Sequence, residues 1–213
     1  MPAPTAPSYR LVIFDIDDVL YDYSRDKRVA ALRRITGLTD EAIREALWGG
    51  DFEDRAEAGD PGDGETYLAR LVTRLGVPLS REAWTAARVA AMTPWTDAIA
   101  LAAAVSRRAT IATLTNNPWL HLEEMPRITP EIYPVFEPNV HASCEFGARK
   151  PDAAVYLRLC AKCGVPPAEA VFIDDKEANV AGARAAGLLG LHFTGVPTLK
   201  SDLAQLGLLP AGF

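Results

Sequence analysis

The sequence predicts an α/β fold, a parallel sheet with helices packed on it and a helical unit inserted after the first strand. Three observations lead there. Leu11-Val12-Ile13-Phe14 is uninterruptedly apolar and ends in Asp15-Ile16-Asp17-Asp18, the pattern of a strand covered on both faces that delivers acids to its carboxyl end. Two further apolar runs, residues 109–114 and 170–173, also end in polar groups, Thr115-Asn116-Asn117 and Asp174-Asp175. Between the first and second runs lie roughly ninety residues, where a βαβ crossover needs only about a dozen.

Each element has a local reason. Asp15 and Asp17 are two apart, so in an extended segment they point the same way. Like charges about 4 Å apart repel by about 4 kcal/mol at an effective dielectric of about 20, so a cation is expected between them. From residue 21 to 94 the pattern is helical, with no strand. Val29, Leu32 and Ile35 mark a helix stopped by Gly37, and Asp40 is read as the cap of a second through Ile43 and Leu47. Residues 52–58 suggest a short helix ending at Gly59. After the turn cluster Asp60-Pro61-Gly62-Asp63-Gly64, Leu68, Leu71, Val72 and Leu75 share one helical face. Ser80 caps the next helix, with Trp84, Ala87 and Ala91 facing inward.

A helix over 97–107 then leads back to strand chemistry at 109–114. A Pro-rich connection over 125–138 and a short strand at 140–143 are expected next. Pro151 suits a first helical position, which would put Lys150 at the N-terminus of a helix over 152–163, facing an anion. Strand 170–173, helix 179–186, strand 188–193 and helix 197–206 complete the chain.

Composition narrows the function. Hydrophobic residues make up 49% and charged residues 23%, and no apolar run approaches the ~20 residues of a membrane span. Residues 1–8 lack a basic region followed by an apolar core and read as a short disordered lead-in, not a secretory signal, so a soluble, cytoplasmic protein is expected. Twenty-two basic and 28 acidic residues give a net charge of −6. Basic residues gather only in pairs such as Arg33-Arg34, so neither nucleic acid nor membrane is an expected partner. His141, Cys144, Cys160 and Cys163 imitate a zinc-ligand spacing, but Cys160 and Cys163 fall in a helical pattern and read as small hydrophobes. Three cysteines also argue against a disulfide framework.

Four loci thus converge at strand ends: Asp15/Asp17, Thr115/Asn116, Lys150 and Asp174/Asp175. A nest of carboxylates calls for a divalent cation, and hard oxygen ligands suit Mg²⁺, which also binds substrate phosphate. A hydroxyl, an amide and a lysine complete a shell for phosphate oxygens, while one carboxylate attacks phosphorus and another handles protons.

With these motifs in this order, the chain resembles the haloacid dehalogenase (HAD) superfamily of phosphohydrolases. The resemblance implies a Rossmann-like core over residues 1–21 and 95–213 and a helical C1-type cap over 22–94. Asp15 would be the nucleophile, Asp17 the general acid/base, and Thr115 and Asn116 the phosphoryl-binding pair. Lys150, in Arg149-Lys150-Pro151-Asp152, would be the lysine of the third motif, with a catalytic and a substrate-binding role. The metal group would comprise Asp15, Asp17, Asp175 and Asp174, with Asp175 favoured over Asp174 as the direct Mg²⁺ ligand and Asp174 acting through a water or by holding a direct ligand in place. Glu57-Ala58-Gly59 and Ala91-Met92-Thr93-Pro94 look closest to subfamily IA. Asp18 and Asn117 depart from the pattern, standing where glycine is common. The expected activity is Mg²⁺-dependent hydrolysis of a small phosphorylated metabolite. A phosphomutase, a 2-haloacid dehalogenase and a receiver-like or non-catalytic phospho-binding module are the alternatives. Asp17 counts against the dehalogenase.

Overall fold

The computed structural model describes residues 9–210; the expected lead-in, residues 1–8, lies outside the described residues. In chain order, β1 (Leu11–Phe14) and β2 (Tyr21–Tyr23) precede five helices, α1 (Arg25–Thr36), α2 (Asp40–Trp48), α3 (Phe52–Glu57), α4 (Gly64–Leu75) and α5 (Arg81–Val89). The chain returns through β3 (Met92–Pro94) and α6 (Thr96–Val105) to β4 (Thr110–Thr113). Then come α7 (Trp119–Ile128), α8 (Tyr133–Phe136), α9 (Ala153–Lys162), β5 (Ala170–Asp174), α10 (Glu177–Ala185), β6 (Leu189–His192) and α11 (Val196–Gln205).

The main sheet is parallel, in the order β4-β1-β5-β6. Successive side chains of β1 point to opposite faces. Val12 and Phe14 enter one core with Leu101 of α6 and Leu199 and Leu203 of α11, while Leu11 and Ile13 enter another with Val155, Tyr156 and Leu159 of α9 and Ala183 of α10. Burial on both sides is the reason for the unbroken apolar run. Register sets the site: Phe14 pairs with both Thr113 and Ile173, so the three strands end level and the residues after them meet.

Helices α1 to α5 build a third core from Val29, Leu32, Ile43, Leu47, Tyr67, Leu71, Trp84 and Ala87, to which Leu120 and Ile128 of α7 also belong. The helical core therefore reaches past residue 94 into the segment after β4. Ser24, Thr39, Asp63 and Ser80 cap α1, α2, α4 and α5 through their side-chain oxygens, and Gly37 and Gly76 close α1 and α4 in the left-handed conformation.

Several expectations are corrected. Thr39, not Asp40, caps α2, because its extended backbone lets Oγ1 accept from the amide of Ala42. Residues 21–94 do contain strands: β2 and β3 form an antiparallel ribbon, too short for alternation to register in sequence. Residues 140–143 form no strand, only a bridge from Ala142 to Thr115. Much of the Pro-rich stretch is helical, with Pro126 in the last turn of α7 and α8 following. Helix α9 starts at Ala153 behind Asp152, whose side chain accepts from the amide of Ala154, so Pro151 and Lys150 stand before the helix and not on it.

Candidate active site

Asp15 follows β1 directly and is fixed by its amide, which donates to the carbonyl of Ile173 at 2.9 Å. Lys150 Nζ lies 2.9 Å from Asp15 Oδ1 and 2.6 Å from Asp174 Oδ2, with its side chain 1% exposed. The expected helix-terminal lysine is therefore a buried ammonium bridging two strand ends. Asn116 holds it there: its Nδ2 donates to the carbonyl of Lys150 and its Oδ1 accepts from the amide of Lys150, both at 2.9 Å. The Asn116 amide, expected on a phosphoryl group, is engaged with backbone. Thr115 Oγ1 accepts from Asn117 Nδ2 at 2.8 Å, which leaves its hydroxyl proton available.

Asp174 Oδ1 accepts from the amide of Lys176 at 2.8 Å, and Asn179 Nδ2 donates to both of its oxygens at 3.0 Å. Asp175 differs, because its Oδ1 is buried with no hydrogen-bond partner. One oxygen each of Asp15, Asp174 and Asp175 lie within 4.8 Å of one another, a set of hard donors that fits a divalent cation. Asp17 stands outside this set. Its Oδ2 is 3.5 Å from Nη2 of Arg88, a buried arginine of α5, and its Oδ1 lacks a partner.

The electrostatics follow from this geometry. Burial drives the Asp15 carboxyl well above its ordinary range, and Asp174 and Asp17 add to the rise against the opposing Lys150. Burial would raise Asp174 too, but the Lys150 ammonium and the surrounding donors hold it below the usual range. The two directions agree with the shorter Lys150 contact and richer hydrogen bonding on Asp174. Burial raises Asp175, with Asp174 and Asp18 contributing.

The acids open onto a crevice of about 760 Å³ whose far wall comes from the helical unit, including Tyr23, Arg25, Arg28, Trp48 and Arg88. Arg88 Nη2 also donates to Asn117 Oδ1 at 3.3 Å, so Asn117 links the far wall to Thr115. Arg149 Nε donates to Glu57 Oε2 at 2.7 Å, and Ser143 Oγ donates to the carbonyl of Glu57 at 2.6 Å, docking the unit on the sheet. Burial raises Glu57 to about 7, with Glu53 contributing and Arg149 opposing. Asp18, at φ 62°, is the one non-glycine residue with positive φ among the described residues; its Oδ1 accepts from the amide of Tyr23. Sequence reasoning missed Arg28 and Arg88. The available signal was a cation on an inward stripe: Arg88 lies one turn from Trp84, and Arg28 one turn from Leu32.

A family model described as haloacid dehalogenase-like hydrolase matches residues 9–187. Among curated proteins, flavin mononucleotide hydrolase 1 of Arabidopsis thaliana is 42% identical over 66 residues, 31% of this chain and 27% of that protein. A sesquiterpene phosphatase of Aspergillus oryzae is 39% identical over 68 residues, 32% of this chain and 35% of that one. These matches thus span about a third or less of the curated relatives' length. A HAD family enzyme from Bacteroides thetaiotaomicron, in complex with magnesium and inorganic phosphate, superposes with a TM-score of 0.72 at 19% identity, covering 86% of this chain and 93% of that one. The L-2-haloacid dehalogenase of Xanthobacter autotrophicus, with chloropropionic acid covalently bound, gives 0.62 at 20% identity over 95% and 85%.

Proposed function

Because the chain belongs to the haloacid dehalogenase-like hydrolase family, we propose that it is a Mg²⁺-dependent phosphohydrolase that cleaves a small phosphomonoester through an aspartyl-phosphate on Asp15. The observation carrying this reading is the Asp175 oxygen, buried without a partner beside oxygens of Asp15 and Asp174. Four carboxylates, those of Asp15, Asp17, Asp174 and Asp175, face two cations, Lys150 and Arg88. When all are ionised the excess is negative, and a divalent ion offsets it. The bound ion would neutralise phosphate charge and lower the affinity of Asp15 for protons.

The protein groups divide the work. Both donors that reach Asp15, the Lys150 ammonium and the amide of Ile16, meet Oδ1, leaving Oδ2 without a donor. Oδ2 is the oxygen that attacks phosphorus; the new Oδ2–P bond forms as the bond from phosphorus to the leaving oxygen breaks. Asp17, in its protonated form, gives its proton to the leaving alkoxide. The resulting carboxylate then takes a proton from the water that hydrolyses the acyl phosphate, restoring both aspartates. Thr115 offers its hydroxyl to a phosphoryl oxygen. Asn116 acts through Lys150 by fixing its backbone. Helices α1 to α5 cover the crevice as a cap that selects the alcohol.

The Arabidopsis relative is named for a phosphomonoester, flavin mononucleotide, and the Aspergillus relative for a phosphorylated sesquiterpene, which supports phosphorus over carbon as the centre attacked. Free phosphate released from p-nitrophenyl phosphate, with and without a chelator, tests the proposal. Metal-dependent release supports it. Release that survives complete metal removal, or halide release from 2-haloacids in place of phosphate release, refutes it.

A further inference from the structure

Nine buried side-chain nitrogen or oxygen atoms lack a hydrogen-bond partner among the described residues, and five of them belong to Arg28, Trp84, Arg88 and His121. These side chains form one cluster behind the cap wall. The Arg28 guanidinium lies 5.6 Å from the Trp84 ring centre, the Trp84 and His121 rings are 6.5 Å apart, and both arginines keep His121 neutral by adding to its burial. Beside the strand ends the unpartnered atoms are carboxylate oxygens of Asp17 and Asp175; in this cluster the guanidinium and indole atoms are donors. Of these side chains Arg28 and Arg88 line the crevice, across from the carboxylates.

Arg28 is the clearest case. It is 2% exposed and lines the crevice, yet its Nη1 donates only to Tyr23 Oη at 3.2 Å and its Nη2 donates to nothing. The nearby carboxylates make their short contacts elsewhere: Asp26 with Arg44 at 2.5 Å, Asp22 with Lys27 at 3.7 Å and Glu57 with Arg149 at 2.7 Å, while Glu53, whose charge favours the Arg28 guanidinium, accepts its hydrogen bond from the Tyr67 hydroxyl at 2.8 Å and none from Arg28. Arg25 adds an exposed cation at the mouth, stacked 4.9 Å over Trp48, a ring that Arg28 also faces at 5.8 Å. A buried guanidinium nitrogen left without an acceptor is costly, and an anion arriving with the substrate removes that cost.

We infer that this wall is an anion subsite built on Arg28 and flanked by Arg25 and Arg88, and that the substrate is a phosphomonoester whose leaving alcohol carries a second anionic group, a carboxylate or a phosphate. The inference rests on the phosphohydrolase reading above. Arg88 contributes less, since Asp17 already shares its charge. An apolar leaving group would find only Tyr23, Trp48 and Pro151 among the lining residues.

The test compares phosphate release from a phosphorylated hydroxy acid and its carboxamide, and from a sugar bisphosphate and the matching monophosphate. Wild type is expected to favour the member bearing the second anionic group in at least one pair about 10- to 100-fold in kcat/KM, the range of a charged hydrogen bond. Arg28→Met should abolish most of that preference by raising KM for the member with the second anionic group far more than for the member without it. Equal kcat/KM within both pairs in wild type overturns the subsite, and this holds even if Arg28→Met does not fold. Calorimetric titration with malonate reads the subsite without turnover: saturable binding weakened in Arg25→Ala and in Arg28→Met supports it, and no binding to wild type refutes it. No phosphate from any ester, p-nitrophenyl phosphate included, defeats the phosphohydrolase reading instead, and the malonate titration still decides the subsite.

Discussion

Replacing Lys150 by methionine removes the ammonium while keeping a long, unbranched stem. In the folded protein that ammonium makes charge-assisted contacts of 2.9 and 2.6 Å to Asp15 and Asp174, at 1% side-chain exposure. Removing one partner of a buried ion pair costs about 3–5 kcal/mol, because the carboxylates left behind are uncompensated. The expected loss of unfolding free energy is therefore about 3–5 kcal/mol at pH 7.5, read as a shift of the urea midpoint at unchanged slope. The pH dependence has a definite sign. Lys150 is raised above its ordinary value by Asp15 and Asp174 against burial, so its contribution is complete below the unfolded lysine pKa and is lost only as pH rises through the folded one. Neutral pH thus reports its full effect. In the variant Asp15 and Asp174 lose their cation: the Asp15 pKa, already above the unfolded carboxylate value, rises further, and that of Asp174, held below it in the wild type, rises as well. Their penalty builds as pH rises from that value and fades as pH falls, so the variant should recover stability at pH 5 relative to pH 7.5. Mg²⁺ should reduce the loss by neutralising the same oxygens. A loss below about 1 kcal/mol at pH 7.5, within the range of an exposed pair, would refute the argument that this ammonium holds the strand ends together.

Asp17→Asn should lower phosphate release about 10²–10⁴-fold while Mg²⁺ affinity, measured by calorimetry, stays near wild type; wild-type rates would require another acid/base. Glu57 has a folded pKa of about 7, above its unfolded value. Its ionisation therefore penalises folding increasingly between about pH 4.5 and 7, and Glu57→Gln should raise Tm relative to wild type at pH 8 and not at pH 4.5. Asp18→Ala places alanine at φ 62° and removes the acceptor for the Tyr23 amide, and should cost about 1–2 kcal/mol. Asp18→Gly should cost less, a difference that denaturant titration resolves. Asp175→Ala should weaken Mg²⁺ binding more than Asp174→Ala, since the Asp174 oxygens already accept from protein donors while Asp175 Oδ1 has none.

What the sequence made legible was whatever repeats locally. The run Leu11–Phe14 announced a strand because every one of its side chains is buried, and acids at two strand ends announced the floor of the site. Capping by Ser80 and closure by Gly37 and Gly76 were readable for the same reason. The Lys150 contacts were not, because they span 24 residues or more and depend on the strand register. Nor was the choice of Thr39 over Asp40 as cap, which hangs on one residue's backbone angles. Asp18 and Asn117 were noticed only as departures from a glycine pattern. In space Asp18 adopts the positive φ that glycine would take, and Asn117 fills the gap between Thr115 and Arg88. The cap wall stayed hidden since arginines on an inward stripe gain their meaning from what surrounds them.

The β2–β3 ribbon has a bearing on how such a chain can be remodelled. Tyr21 pairs with Pro94, the amide of Trp95 donates to the carbonyl of Leu20, and the amide of Ser24 donates to the carbonyl of Ala91, so the outgoing and returning strands run side by side as one stem. To the sheet, everything between them is topologically a single hairpin loop, and lengthening a loop whose ends are already joined costs only about 0.6 kcal/mol per doubling. Grafting a foreign helical unit onto this stem therefore leaves strand order and register untouched. The graft must cover Leu120 and Ile128 of α7, the buried apolar side chains that the host adds to the core of its guest.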